Sequence, residues 1–378
     1  MSGHLVDGLG TTEALAAVFS DAAVLQAMLD VESALARVQA RLGIIPERAA
    51  ESIAACARAE LFDAAAIAQD GRASATPVVP FVAALRDRVA GVDPDSAPFV
   101  HRGITSQDVS DTALVLSIAR AGAVIGGTQA RLTAALRQRS DEHARTVMTG
   151  RTLLQPAAPI TFGLKVANWH AGIHRSWRHL QQAIDAAAVV QCAGATGTLA
   201  ALGGHGIDVR RALADALDLR DGPPWHTDRG RLAAVACGCG ILTGALGKMA
   251  RDVSLLMQHE VAEALEPGGG SSSMPHKRNP AGCARTLAAA VRTPGLVAAY
   301  LTGLVQEHER AVGGWQAEWP TLAALLQATG AASEAMTDVA AGLTVDPERM
   351  QRNLAATPKP EDDLGTAETM RRELLDTA

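Results

Sequence analysis

Apolar residues recur every three or four positions through most of the chain, beginning with Leu15, Val18, Leu25, Met28, Leu29, Val31, Leu35 and Val38. That spacing predicts a helix over 13–43, punctuated by Gly43 and Pro46. Further helices are predicted over 47–68 and 81–90, separated by a polar, Pro-containing break over 71–80. The turn-rich run Gly91-Val-Asp-Pro-Asp-Ser-Ala-Pro98 closes an N-terminal helical domain assigned to 1–98. From there the pattern gives long helices with few breaks, over 107–146, 161–189, 227–264, 279–310 and 317–341. Several exceed ordinary globular length, so 99–342 is read as an elongated bundle with a coiled-coil-like core. Asp346-Pro347 reads as N-cap and first position of one more helix, in a short C-terminal helical tail over 343–378. The fold class is all-α.

Composition sharpens this picture. Hydrophobic residues make up 48% of the 378 and aromatic residues only 3%, so the core is built from Ala, Leu and Val. Such a core suits close-packed helices better than a β-sandwich, which favours β-branched and aromatic residues. A net charge of -6 gives no general attraction for nucleic acid or an anionic membrane. Cations that hold an acidic ligand must therefore form local clusters. The five cysteines (Cys56, Cys192, Cys237, Cys239, Cys283) make no CxxC pair and read as reduced. No basic-then-apolar leader opens the chain, and no stretch reaches the roughly 18 apolar residues a membrane span needs. The expected location is the cytoplasm.

Four polar stretches interrupt the helices. Gly268-Gly-Gly-Ser-Ser-Ser-Met-Pro-His-Lys-Arg-Asn-Pro280 is flexible, rich in hydroxyls and followed by cations, which suits a loop that closes over an anion. The blander reading is a solvated linker; Met274-Pro275 and the helical sequence on both sides count against it. His101-Arg-Gly-Ile-Thr-Ser-Gln-Asp108 looks like a capped helix start, and such a terminus also binds carboxylates. Gly150-Arg-Thr-Leu-Leu-Gln-Pro-Ala-Ala-Pro-Ile-Thr-Phe-Gly163 reads as a loop with two prolines. Pro224-Trp-His-Thr-Asp-Arg-Gly-Arg231 reads as a turn carrying two cations and an imidazole. Weaker constellations are set aside. His170 and His174 lack the Glu of HExxH, and 194–204 lacks the strand a dinucleotide fingerprint requires.

The stretch from Gly270 to Pro280 resembles the GSSxMPxKxNP signature of the fumarase/aspartase superfamily. The segments at 101–108 and 150–163 resemble its HxGxTSxD and GRTHxQxAxPxTFG motifs. The resemblance implies an all-α, fumarase-like fold and Ser271 as acid/base, with Ser272 the fallback. It further implies that Lys277 and Asn279 hold the carboxylate that gains charge. His101, Thr105, Ser106, Gln155, His226, Arg229 and Arg231 would bind the other carboxylates, with His276 orienting the loop. Asp108 reads as structural as well. Neither cofactor nor metal is required by this chemistry. The motifs sit at opposite-facing ends of long helices, and the family solves this with a homotetramer whose sites are each built from three subunits.

One departure bears on the reaction. Where amine- and hydroxide-eliminating members carry a histidine in the second motif, this chain has Leu153. The glutamate that pairs with it, seven residues after the signature lysine, is Ala284 here. Amines and hydroxide leave only when protonated, whereas a carboxylate leaves unaided. The double loss therefore fits the cycloisomerase branch, which closes and opens the lactone of 3-carboxy-cis,cis-muconate in protocatechuate breakdown. WHTxRxR at 225–231, His308-Glu-Arg310 and Trp315-Gln-Ala-Glu-Trp319 also resemble that branch. The expected partner is a small tricarboxylate. A C–N lyase and a catalytically silent structural member are the alternatives. The family's further C-terminal helical domain is not matched, and 358–364 departs from the usual continuation.

Overall fold

The computed structural model describes residues 5–356 and 363–376; most of the tail segment 358–364 lies outside them. In chain order the described helices are α1 (Glu13–Val18), α2 (Asp21–Arg41), α3 (Glu47–Cys56), α4 (Ala64–Asp70) and α5 (Val78–Val92). These are followed by α6 (Ser106–Glu142), α7 (Phe162–Ala187), α8 (Gly206–Ala216) and α9 (Gly230–Leu256). The last four are α10 (Ala281–Thr302), α11 (Gly314–Gly342), α12 (Pro347–Ala355) and α13 (Ala367–Asp376). The helix expected over 13–43 breaks at Ser20, whose hydroxyl accepts from the Ala23 amide at 3.3 Å and starts α2 afresh. The run over 47–68 likewise divides into α3 and α4, and α8 falls where no helix was expected.

Helices α6, α7, α9, α10 and α11 form the bundle: α6 packs on α7 and α11, and α9 on α7, α10 and α11. Their interleaved side chains include Ile118, Ile125, Leu132, Val166, Trp169, Leu242, Leu246, Leu325 and Met336, all buried. Leu15 of α1 joins this core so closely that a Cβ on Gly330 would lie 2.0 Å from its Cδ1. A second buried cluster, with Leu29, Val31, Ile53, Phe81, Leu85 and Val109, holds α2, α3 and α5 against the start of α6. With 37 residues, α6 runs about 55 Å. The chain reverses at every connection, so α6, α9 and α11 begin at one end of the bundle and α7 and α10 at the other. Two helices, α6 and α9, are apolar and long enough to cross a membrane by composition alone, and both are core members of the bundle.

The expected loop at 150–159 is a β-hairpin. Strands β1 (Val147–Thr152) and β2 (Gln155–Thr161) pair antiparallel, with Thr152 opposite Gln155 and a register shift between Thr149 and Arg151. The two-residue turn has φ +50° at Leu153 and +63° at Leu154. Paired positive φ values are the mark of a type I′ turn, normally Asn-Gly. A Cβ on Gly150 would stand 2.4 Å from the Ala158 carbonyl oxygen, so only glycine fits the bulge.

On its outer surface α10 leaves Ala284, Ala288, Val291, Gly295, Ala298 and Thr302 exposed, at alternating spacings of four and three. Beside them α9 exposes Ala234, Ile241 and Gly244. This is a seam of small residues with coiled-coil periodicity and no covering element among the described residues.

Candidate active site

The four motifs fall into two groups at opposite ends of the bundle. At one end lie the starts of α6 and α9. Thr105 is the N-cap of α6, and Asp108 reaches back to accept from the Thr105 amide at 3.0 Å. The Asp108 carboxylate also accepts from the amides of Ala193 at 3.1 Å and Gly194 at 2.9 Å, and lies 2.8 Å from His226 Nε2. It thus pins the 190–199 strip and the turn before α9 to the start of α6. Gln107 extends the tie by donating to the His226 carbonyl at 2.9 Å.

Here two expected ligand-binding residues take other roles. His226 is buried against Asp108. Arg229, 1% exposed, donates to Asp111 at 2.7 and 2.9 Å and to Glu318 at 2.6 to 3.1 Å. Its guanidinium also stacks on Trp225, 4.7 Å from the ring centroid. Trp315 donates to Asp111 at 3.1 Å and Gln306 to Glu318 at 2.9 Å, which completes the network. A guanidinium with one face stacked and its N–H donors taken up by two carboxylates has no donor left for a substrate. Burial alone would lower the pKa of Arg229, and the two carboxylates overturn that and raise it.

Residues that remain open at this end are Thr105, Ser106, His101 and Arg231, all half-buried. One Arg231 terminal nitrogen is buried with no acceptor. His101, at φ +62°, gives Nδ1 to Glu32 at 2.6 Å and its amide to the same carboxylate at 3.1 Å. Burial pushes the imidazole down, but Glu32 prevails and holds it above its ordinary value. Arg310, to which the sequence motifs assign no role, donates through Nη2 to the Thr105 hydroxyl at 3.0 Å.

At the other end the β1–β2 hairpin and the signature loop sit together. Arg151 of the hairpin makes a two-fold pair with buried Glu263 at 2.7 and 2.8 Å, just after α9. Glu266, also buried, caps α10 by accepting from the amides of Gly282 at 2.7 Å and Cys283 at 3.1 Å. Both carboxylates lie outside the four motifs, and each is satisfied through the fold: Glu263 by Arg151, and Glu266 by the first amides of α10. Between them the loop closes on itself. The Asn279 amide donates to the Gly269 carbonyl, and the Asn279 side chain to Gly270 at 3.1 Å. The Ser271 hydroxyl oxygen faces the amides of Ser273 at 3.4 Å and Met274 at 3.2 Å. Ser272, His276 and Lys277 are exposed, as are Gln155, Leu153 and Ala284. Two amides aimed at one hydroxyl oxygen can stabilise its alkoxide, which is what a serine base needs.

A lyase family model matches residues 9–295. The chain is 44% identical over 359 residues to the 3-carboxy-cis,cis-muconate cycloisomerase of Pseudomonas aeruginosa, covering 94% of this chain and 78% of that protein. It is 43% identical over 354 residues to the nitrosuccinate lyase of Streptomyces davaonensis, covering 90% and 74%. Among solved structures, the 3-carboxy-cis,cis-muconate lactonizing enzyme of Pseudomonas putida superposes with a TM-score of 0.90 at 41% identity, covering 93% of this chain and 79% of that one.

Proposed function

The chain belongs to the lyase family of the fumarase/aspartase superfamily, and from that premise we propose that it interconverts 3-carboxy-cis,cis-muconate and 4-carboxymuconolactone. One substrate carboxylate adds across a double bond to form the lactone C–O bond. The electron pair moves onto the neighbouring carbon as an aci-carboxylate, and that carbon takes a proton. Ser271 supplies the proton and is reprotonated from solvent. Lys277 and Asn279 hold the carboxylate on which charge grows, the electrostatic part of the catalysis. Thr105, Ser106, Gln155, His101 and Arg231 hold the others, and His276 orients the loop. The pathway is protocatechuate breakdown, in the cytoplasm.

The observation that carries this reading is the joint replacement of the proton-donating pair. Leu153 stands exposed at the hairpin tip and Ala284 exposed on α10, at the same end of the bundle as the amide-cradled Ser271 hydroxyl. In the reverse, lactone-opening direction, a site with the Ser271 alkoxide as base and no such acid suits a weakly basic leaving group. Lys277 and Asn279 beside Ser271 count against a silent structural protein.

The assembly follows from the same division. The α6 end and the signature-loop end lie a bundle length apart, so a complete site takes its parts from different copies of the chain. The unpartnered seam on α9 and α10 supplies the surface for a homotetramer.

A nitro-acid lyase is the second reading, favoured by the Streptomyces relative. Nitrite is also a weak base, so Leu153 and Ala284 fit both reactions. Ultraviolet assays on 3-carboxy-cis,cis-muconate, nitrosuccinate and adenylosuccinate separate them, each repeated with Ser271→Ala. Loss of the diene absorbance, abolished by Ser271→Ala, is the expected result. Nitrite release without muconate turnover would put the second reading first. Turnover of adenylosuccinate alone would overturn the leaving-group argument.

A further inference from the structure

Eight residues after α10 ends at Thr302, the chain presents a cation that no carboxylate answers among the described residues. Arg310 lies in the 303–313 connection, half-buried, and donates through Nη2 to the Thr105 hydroxyl at 3.0 Å and the Ala195 carbonyl at 3.3 Å. Its Nε is buried with no acceptor. Among the described residues no ion pair includes it, whereas Arg229 has two carboxylates and Arg151 one. The connection itself is held in place. Gln306 donates to Glu318 at 2.9 Å, and Glu307 accepts from the Val312 amide at 3.1 Å. A partly desolvated guanidinium on a fixed loop, with a buried N–H left over, calls for an anion.

We propose that Arg310 receives a substrate carboxylate at the α6 end of the site, and that it selects tricarboxylates over dicarboxylates. Because the Thr105 oxygen accepts from Arg310, its own proton is turned elsewhere and can go to the ligand. Thr105, Ser106 and the positive end of a 37-residue helix then face the same carboxylate as the guanidinium. The planar fork matches a carboxylate in a way an ammonium does not. This role was expected of Arg229, which is already neutralised by Asp111 and Glu318. The substrate's identity rests on the cycloisomerase reading; carboxylate binding at Arg310 does not.

The test uses the native protein, Arg310→Met, which keeps the bulk without the charge, and Arg310→Lys, which keeps the charge without the fork. Thermal unfolding is followed with tricarballylate and with succinate. Tricarballylate is expected to raise the native Tm more than succinate does. That difference should vanish in Arg310→Met and shrink in Arg310→Lys, with all three proteins melting alike when no ligand is added. In the muconate assay Arg310→Met should raise KM about tenfold or more while kcat falls less, as expected for lost binding of an anion. Equal tricarballylate shifts in native and Arg310→Met protein would overturn the proposal. So would a lowered ligand-free Tm in both variants, which would make Arg310 a structural residue. If the native protein turns over no muconate, the reaction assignment fails, and the tricarballylate shifts still decide the role of Arg310.

Discussion

Taking Arg229 away leaves Asp111 and Glu318 facing each other in a buried site. Burial, the largest influence, already holds the Glu318 carboxyl above its ordinary range, so the site has no spare capacity for unpaired negative charge. Arg229→Met is therefore expected to cost about 3–5 kcal/mol, the usual consequence of breaking a buried ion pair on one side. Urea unfolding checks it. Unchanged stability with a raised KM would instead restore the substrate clamp read from the sequence. That reading could not have been corrected from the sequence, because the residues that claim Arg229 and His226 lie far along the chain; His226 and Asp108 are 118 positions apart. His170 gives a second residue-scale prediction. Burial first, then Arg137 and His174, push it from 6.5 to about 4. The folded protein thus holds this proton less tightly than the unfolded chain. The resulting stability is present above pH 6.5 and is lost as pH falls toward 4. Urea midpoints should drop over that window, and drop less in His170→Gln. Equal losses in both would mean that His170 is not the sensor.

At the scale of elements, the long bundle helices were legible because their apolar period is sustained over many turns, and α6 begins within one residue of its expected start. Helix ends were less so. The pattern runs past α9 into 257–262, where Ala262 turns at φ +50°, and past α10 into the connection that carries Arg310. The hairpin escaped notice because two prolines argue against a strand and Leu153-Leu154 is not a turn pair. That mismatch makes a prediction. Left-handed backbone costs roughly 1–2 kcal/mol at a leucine and far less at Asn or Gly. Both leucines are also bare to solvent in the subunit, at 96% and 77% exposure. The double change Leu153→Asn, Leu154→Gly should raise Tm by a few degrees. Turnover should fall, since strain retained against stability points to function at the tip. Calorimetry and the diene assay on the same preparation check both halves. A Tm that falls would mean that the leucines are buried in the working assembly and stabilise it more than the strain costs.

The whole molecule raises a question that neither motif nor element can answer, which is whether two groups of motif residues a bundle length apart serve one substrate. Thr105 and Ser106 begin α6, and Ser271 follows the far end of α9, so no bending of one subunit brings them together. If separate copies complete each site, two kinds of damage should rescue one another. Ser271→Ala spoils the loop end, and Thr105→Val with Ser106→Ala spoils the helix-start end, at a capping cost near 1 kcal/mol that should leave the fold intact. Alone, each is expected to be nearly inactive. Mixed, dissociated and reassembled, they form assemblies in which some sites draw the helix start from a Ser271→Ala copy and the loop from the other variant. Random exchange makes about a quarter of the sites whole, because each of two contributing copies must be of the right kind. Recovery of activity toward that fraction, with light scattering giving four subunits, would establish sites shared between copies. Inactive mixtures whose light scattering shows that the subunits did exchange would mean that both ends of a site come from one chain, and the bundle geometry would have to change in solution. A large charged residue on the α10 seam, Ala288→Arg, supplies the reciprocal result. It touches no site residue, yet it should split the assembly and remove activity together.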